Sequence, residues 1–164
     1  MISTSFTTDI QKGKIGETIF KEDFLEFLNI KYQDVTGCQQ FQVIDSDFLS
    51  KVGLFEIKAN YKDDKKIIVE EYTNINQDLG KISYGWWYKS KADLIIFVSK
   101  TTRTMIFVPF TPAVKSCYES IKERYELIKN IPSQKDGKHW QSAFRKVPLD
   151  DLRGYFSCYK KAVV

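Results

Sequence analysis

The chain is short of histidine, arginine and cysteine, and each shortage removes a class of chemistry. His139 is the sole histidine, which excludes nucleases of the His-Asn-His type, two-histidine ribonucleases and His-rich zinc sites. Cys38, Cys117 and Cys158 are odd in number, far apart and without a CxxC pair. They read as reduced thiols, with neither a disulfide framework nor a zinc knuckle indicated. Arginine occurs only at Arg103, Arg124, Arg145 and Arg153. The remaining cations are lysines, which suit point-charge contact with phosphate better than bidentate base reading, so any nucleic-acid binding is expected to be weakly sequence-specific. No P-loop, GxGxxG or GxSxG is present. No apolar run approaches the roughly 20 residues of a membrane helix, and Met1 to Ile10 has neither the basic nor the apolar region of a secretory signal. A cytosolic location (cytoplasmic) and no membrane partner are expected.

What is there belongs to a folded domain. A chain of 164 residues with 43% hydrophobic and 15% aromatic content can bury a core without staples. The net charge of +4 permits a polyanionic partner without requiring one. No repeat, linker or low-complexity tract divides the sequence, so residues 1–164 are expected to form one domain, with a core over about 14–129 and a C-terminal strand and helix over 138–160.

Periodicity sets the expected elements. Ile19, Phe20, Phe24, Phe27 and Leu28 recur at three- and four-residue steps and predict a helix from about Lys14 to Leu28, the first eight residues being loosely held. Strands are predicted over Phe41 to Leu49 and Leu54 to Ala59, joined as a hairpin across Gly53, with a third over Lys66 to Tyr72. A strand pair follows over Leu94 to Ser99 and Thr104 to Phe110, then a helix from Ala113 to Lys129 with Val114, Cys117, Tyr118, Ile121, Tyr125 and Ile128 on one stripe. Gln141 to Val147 reads as a strand and Pro148 to Leu152 as the opening of a short helix. The fold class is α/β (α+β).

The chemistry concentrates at Asp47 and, nine positions on, Glu56-Ile57-Lys58. On a strand, side chains two apart share a face, so Glu56 and Lys58 project together while Phe55, Ile57 and Ala59 face the core. Hairpin pairing can set Asp47 opposite them. Two carboxylates about 4 Å apart repel by about 4 kcal/mol at an effective dielectric near 20, so both stay ionised only with a cation between them. Mg²⁺ suits such hard oxygen donors, with Mn²⁺ able to substitute. Lys58 beside it could orient or help deprotonate an attacking water and offset charge on phosphoryl oxygens. Glu17 shares a helical face with Phe20 and Phe24 and so points toward the sheet; the competing reading is a surface ion pair with Lys21.

In this order, a helix bearing Gly16-Glu17, then Asp47, then Glu56-Ile57-Lys58 resembles the PD-(D/E)XK nuclease superfamily, which includes Holliday-junction resolvases, restriction-type and phage-type nucleases. The resemblance covers roughly Lys14 to Lys129. It implies a restriction-endonuclease-like core of helix, three-stranded antiparallel run, helix and further strand in a mixed central sheet. It also implies Asp47, Glu56 and the Ile57 carbonyl as metal ligands, Lys58 as catalytic lysine and Glu17 as the helix carboxylate. Ser46 replaces the proline that names the motif, and Asp45, two residues before Asp47, is an alternative ligand. The expected activity is Mg²⁺-dependent hydrolysis of DNA, more than RNA, in a phage or mobile-element setting, with a homodimer plausible. The alternative is a catalytically silent DNA-binding or regulatory protein on the same fold, and a third is an interaction domain whose charges form surface pairs.

Three further features have competing readings. Gly85-Trp86-Trp87-Tyr88-Lys89 is either a stacking platform for nucleic acid or core, with Lys89 the better candidate for phosphate contact. Lys62 and Lys65, with Lys66, form a basic turn that could meet backbone phosphates or simply be a solvated loop. Of Glu70 and Glu71, either both lie on a solvated edge or one reaches the metal site from the third strand, Glu70 being preferred for that role.

Overall fold

Leu94–Ser99 carries apolar residues on both faces, and such a strand is stable only between two packed layers. The structure, a computed structural model describing residues 4–60, 66–75, 82–135, 138–152 and 154–159, places it at the centre of the molecule. In chain order, helix α1 (Thr4–Phe20) runs into a π-helical turn (Lys21–Glu26), followed by β1 (Tyr32–Asp34), a helical turn α2 (Gln39–Gln42), β2 (Phe48–Ser50) and β3 (Gly53–Asn60). Next come β4 (Lys66–Asn74), β5 (Ser83–Tyr84), the short helix α3 (Trp86–Lys89), β6 (Leu94–Ser99) and β7 (Met105–Pro109). Helix α4 (Pro112–Ile121) tightens into a 3-10 turn at Lys122–Arg124, and β8 (Ile128–Lys129), β9 (Ser133–Lys135), β10 (Lys138–Trp140), β11 (Ala143–Pro148), a 3-10 turn (Leu149–Leu152) and β12 (Ser157–Tyr159) complete the chain.

The main sheet is mixed, six-stranded and ordered β1-β2-β3-β6-β7-β12; β3 and β6 are parallel and the other neighbours antiparallel. A second sheet is ordered β5-β4-β11-β8, and β9 pairs with β10. On one face of β6, Ile96 and Val98 join Phe20, Leu25, Phe48, Phe55, Ile57 and Phe107 beneath α1. On the other, Ile95 and Phe97 join Ile67, Val69, Trp86, Trp87, Tyr118 and Val147, filling the space to the second sheet and α4. Among the described residues no helix is long and apolar enough to cross a membrane.

Several expected elements differ, each for a local reason. Helix α1 begins at Thr4, and the π turn buries Phe20 and Leu25, five apart, while Phe27 (54% exposed) and Leu28 lose the buried stripe assigned to them. The strand expected over Phe41 to Leu49 is confined to Phe48–Ser50. Before it, Phe41 and Ile44 are half-buried at helical spacing and Val43 is 70% exposed. The antiparallel run is β1, β2 and β3; Lys66–Asn74 leaves that sheet and pairs with β11. Its alternation of buried Ile67, Val69 and Glu71 with outward Ile68 suits a sheet with one face outward, whereas β6 needs the central position.

The helix expected from Ala113 to Lys129 is capped by Thr111, whose hydroxyl accepts from Val114 N, and leaves α-helical geometry at Lys122. Arg145 takes the carbonyls of Lys122 and Tyr125, and Ile128–Lys129 then pairs with β11. The predicted strands over 94–99, 104–110 and 141–147 correspond to β6, β7 and β11. Cys38, Cys117 and Cys158 are free thiols.

Candidate active site

The register Phe48↔Phe55, Leu49↔Leu54, Ser50↔Gly53 carries one step further to set Asp47 opposite Glu56, and Asp47 N donates to Phe55 O at 2.8 Å. Beyond that point β2 stops pairing as a strand. The Asp47 carboxylate continues the ladder by accepting from Ile57 N at 2.8 Å. In a strand the N–H and C=O of one residue point to the same edge, so the Ile57 carbonyl faces this side as well. Phe55 and Ile57 pack under α1, which leaves Glu56 and Lys58 on the opposite face.

Helix α1 reaches the same place because Gly16 has no side chain. A Cβ there would lie 3.2 Å from Ala59 Cβ and 3.4 Å from Ala59 Cα, so glycine lets the helix backbone sit this close to β3 without pushing Ala59 aside by a few tenths of an ångström. Glu17, the next residue, therefore stands at the end of the sheet. Together Glu17, Asp45, Ser46, Asp47 and Glu56 line an open cleft of about 510 Å³, with Lys14 and Gln42 at its rim. Lys21, the alternative partner for Glu17, lies 3.9 Å from Glu26 instead.

Charge in the cleft is unbalanced. Glu56 is only 5% exposed and is ion-paired through Oε1 to Lys58 Nζ. Burial pushes the Glu56 carboxyl up to about 7, the pull of Lys58 being insufficient to hold it down and Asp47 adding repulsion. Burial likewise pushes Asp47 up to about 6, against the bond from Ile57 N. Glu17 is raised by burial and then by Asp34 and Glu56. Burial works against the Lys58 ammonium, but Glu56, Asp45 and Asp47 outweigh it and leave the group raised. Asp45 Oδ2 and Ser46 Oγ are buried with no hydrogen-bond partner among the described residues. Such a set of hard oxygens short of positive charge fits a small divalent cation. Among the described residues no group of three or more histidine, cysteine or carboxylate side chains is placed to hold a metal ion; the donors that could contribute to one are the Asp47 and Glu56 carboxylates, with the Ile57 carbonyl at the same edge.

Lys58 is bounded on its far side by the segment that crosses between β4 and β6. Its Nζ lies 5.3 Å from the centre of the Trp86 ring. Glu70 is raised by burial, lowered by Lys58, accepts a backbone hydrogen bond at Trp86 and feels the exposed Lys89. Of the two β4 glutamates, Glu70 is thus the one beside Lys58, while Glu71 points into the core against Arg145. Gly85 is obligatory in this arrangement, since a Cβ would stand 2.3 Å from Glu70 O. Trp86 and Trp87 are both buried, packed on each other and on Phe110, which is the core reading and not the stacking platform. Lys62 and Lys65 lie outside the described residues.

The turn that presents Asp45 had little sequence signal beyond its Asp-Ser-Asp composition. Asp45 adopts a left-handed φ of 48°, which aspartate tolerates better than most residues. Ser90 Oγ donates to Asp45 O at 3.1 Å and Lys91 N to Ile44 O at 2.9 Å, clamping the turn to the chain just after α3. That clamp joins positions 45 residues apart, beyond the reach of any local pattern. No protein-family model matches this chain, and no curated protein or solved structure matches it either.

Proposed function

We propose that this chain is a metal-dependent nuclease that hydrolyses DNA phosphodiester bonds through a PD-(D/E)XK-type site. The observation that carries this reading is the pairing of Asp47 with Glu56 at the floor of one cleft, with Lys58 on the same strand face and Glu17 brought in by α1. Helix α1, the antiparallel β1-β2-β3 run and the parallel placement of β6 beside β3 support it, while the crossing from β3 to β6 runs through β4, β5 and the four-residue α3, and the longer helix α4 follows β7.

Asp47 and Glu56 would hold Mg²⁺ or Mn²⁺, with the Ile57 carbonyl at the same edge. The bound cation would supply Lewis-acid polarisation of the phosphoryl oxygen and a more acidic water. The chain's own groups have separate tasks. The Lys58 ammonium offsets charge growing on the phosphoryl oxygens and orients the attacking water. Glu17, which lines the same cleft, would accept hydrogen bonds from water there. Lys14 at the rim and exposed Lys89 beside Glu70 offer point charges to neighbouring phosphates, a contact that is insensitive to base identity. DNA as the preferred backbone rests on the resemblance.

The test is cleavage of branched, duplex and single-stranded DNA with Mg²⁺ or Mn²⁺, by wild type beside Glu56→Gln and Lys58→Ala. Wild-type cleavage that needs the metal, and falls by about 100-fold or more in both variants, is expected. Cleavage by Glu56→Gln at the wild-type rate sinks the assignment. Metal-independent DNA binding with no turnover in any protein would identify a silent member of the fold.

A further inference from the structure

The Glu56–Lys58 ion pair conflicts with the role proposed for Glu56, and the conflict points to a residue with no task so far. Glu56 Oε1 is engaged by the Lys58 ammonium. A divalent cation arriving at Glu56 competes for that oxygen and, carrying like charge, repels the ammonium at contact distance. Lys58 must then leave Glu56 while remaining in a partly buried site, about a quarter of its side chain exposed. Moving an ammonium away from its carboxylate inside a protein is costly unless a second anion receives it.

Asp45 is built to be that second anion. Its Oδ2 is shielded from solvent and has no hydrogen-bond partner among the described residues, a costly state that calls for an occupant. The left-handed φ and the hydrogen bonds from Ser90 and Lys91 hold the backbone of the turn that carries this carboxylate. It lines the same cleft as Glu56, and its charge acts on Glu56, Lys58 and Glu70 alike. The Trp86 face lies 5.3 Å from Nζ while Lys58 rests on Glu56.

Building on the nuclease reading, we propose that Lys58 exchanges partners: it rests on Glu56 without metal and moves to Asp45 when a divalent cation takes Glu56, which makes Asp45 a positioning residue rather than a metal ligand. No bond is made or broken in this exchange; one ammonium passes between two carboxylates. Asp45 thereby removes the lysine as a competitor for the cation and holds it charged beside the reacting phosphate.

A thermodynamic cycle on Mn²⁺ binding tests this, measured by titration calorimetry at pH 8 on the full chain without DNA. The four proteins are wild type, Asp45→Asn, Lys58→Met and the double variant. Asparagine keeps the left-handed turn accessible. With Lys58 present, Asp45→Asn is expected to weaken Mn²⁺ about tenfold, and in the Lys58→Met background by less than about twofold. An equal loss in both backgrounds makes Asp45 a direct partner of the cation and overturns the exchange, as does no loss in either. A wild type that binds no Mn²⁺ removes the nuclease reading and this inference together, whereas binding with an uncoupled cycle removes this inference alone. A second arm needs no substitution: a crystal structure with Ca²⁺ bound should show Lys58 Nζ on Asp45, and Lys58 still on Glu56 there refutes the proposal.

Discussion

Two buried charge clusters in this protein can be set side by side, and only one is satisfied. Around Arg145, every strong group has its complement. Its Nε donates to Glu71 at 2.9 Å, Nη1 to the carbonyls of Lys122 and Tyr125, and Nη2 to Glu123 at 3.2 Å, while the Tyr118 hydroxyl donates to Glu71 as well. Around Lys58, several carboxylates share one ammonium, four of them (Glu17, Asp47, Glu56 and Glu70) are pushed up by burial, and two buried oxygens have no partner among the described residues. The first cluster ties β4, β11 and the end of α4 together. The second is held by the fold at a cost in stability, which supports the proposal that it is a functional site. Completeness of hydrogen bonding, not burial or charge, separates the two clusters.

That contrast can be broken in order of effect. Replacing Arg145 by Met strands Glu71 in the core and should cost about 3–5 kcal/mol in urea unfolding, with no dependence on divalent metal. Wild-type stability in Arg145→Met would erase the distinction. Addition of Mn²⁺ at about 100 times its dissociation constant should stabilise the wild type by about 2.7 kcal/mol and leave Glu56→Gln unmoved in thermal melts.

The sign reverses for Asp47. A carboxyl raised from 3.8 to about 6 favours the folded state fully below its ordinary value, and that contribution is lost as pH rises through about 6. Asp47→Asn keeps an acceptor for Ile57 N and removes the penalty. It should stabilise the metal-free protein by on the order of 1–3 kcal/mol at pH 8, the gain vanishing toward pH 4. A gain independent of pH would show that Asp47 is not the strained group. The smallest effect is at Lys89, whose change to Ala should weaken DNA binding a few-fold and reduce the salt slope by about one, without altering sequence preference.

How much of the site was legible follows from the range of each signal. The shared face of Glu56 and Lys58 is a property of any strand, and the Asp47–Glu56 pairing follows from a short hairpin, so both could be read locally. The inward aim of Glu17 rests on helical spacing, which survives the π turn because that turn begins after it, at Lys21. Phe27 and Leu28 lie beyond the turn, and their predicted burial was lost. Alternation could recognise Lys66–Asn74 as a strand but not its partner, because β3 and β4 are neighbours in sequence yet belong to different sheets. The Trp86-Trp87 pair was ambiguous for the same reason: whether adjacent aromatics are core depends on what packs over them.

The sequence by itself determined which residues alternate, which repeat at helical steps and which charges can share a strand face, since these follow from backbone geometry over a few residues. Only the tertiary structure decided that β6 inserts beside β3, that Ser90 clamps the Asp45 turn and that Glu70 and Trp86 close around Lys58. The reason is that burial and charge balance depend on residues tens of positions away, and an ammonium's partners are set by what surrounds it in space.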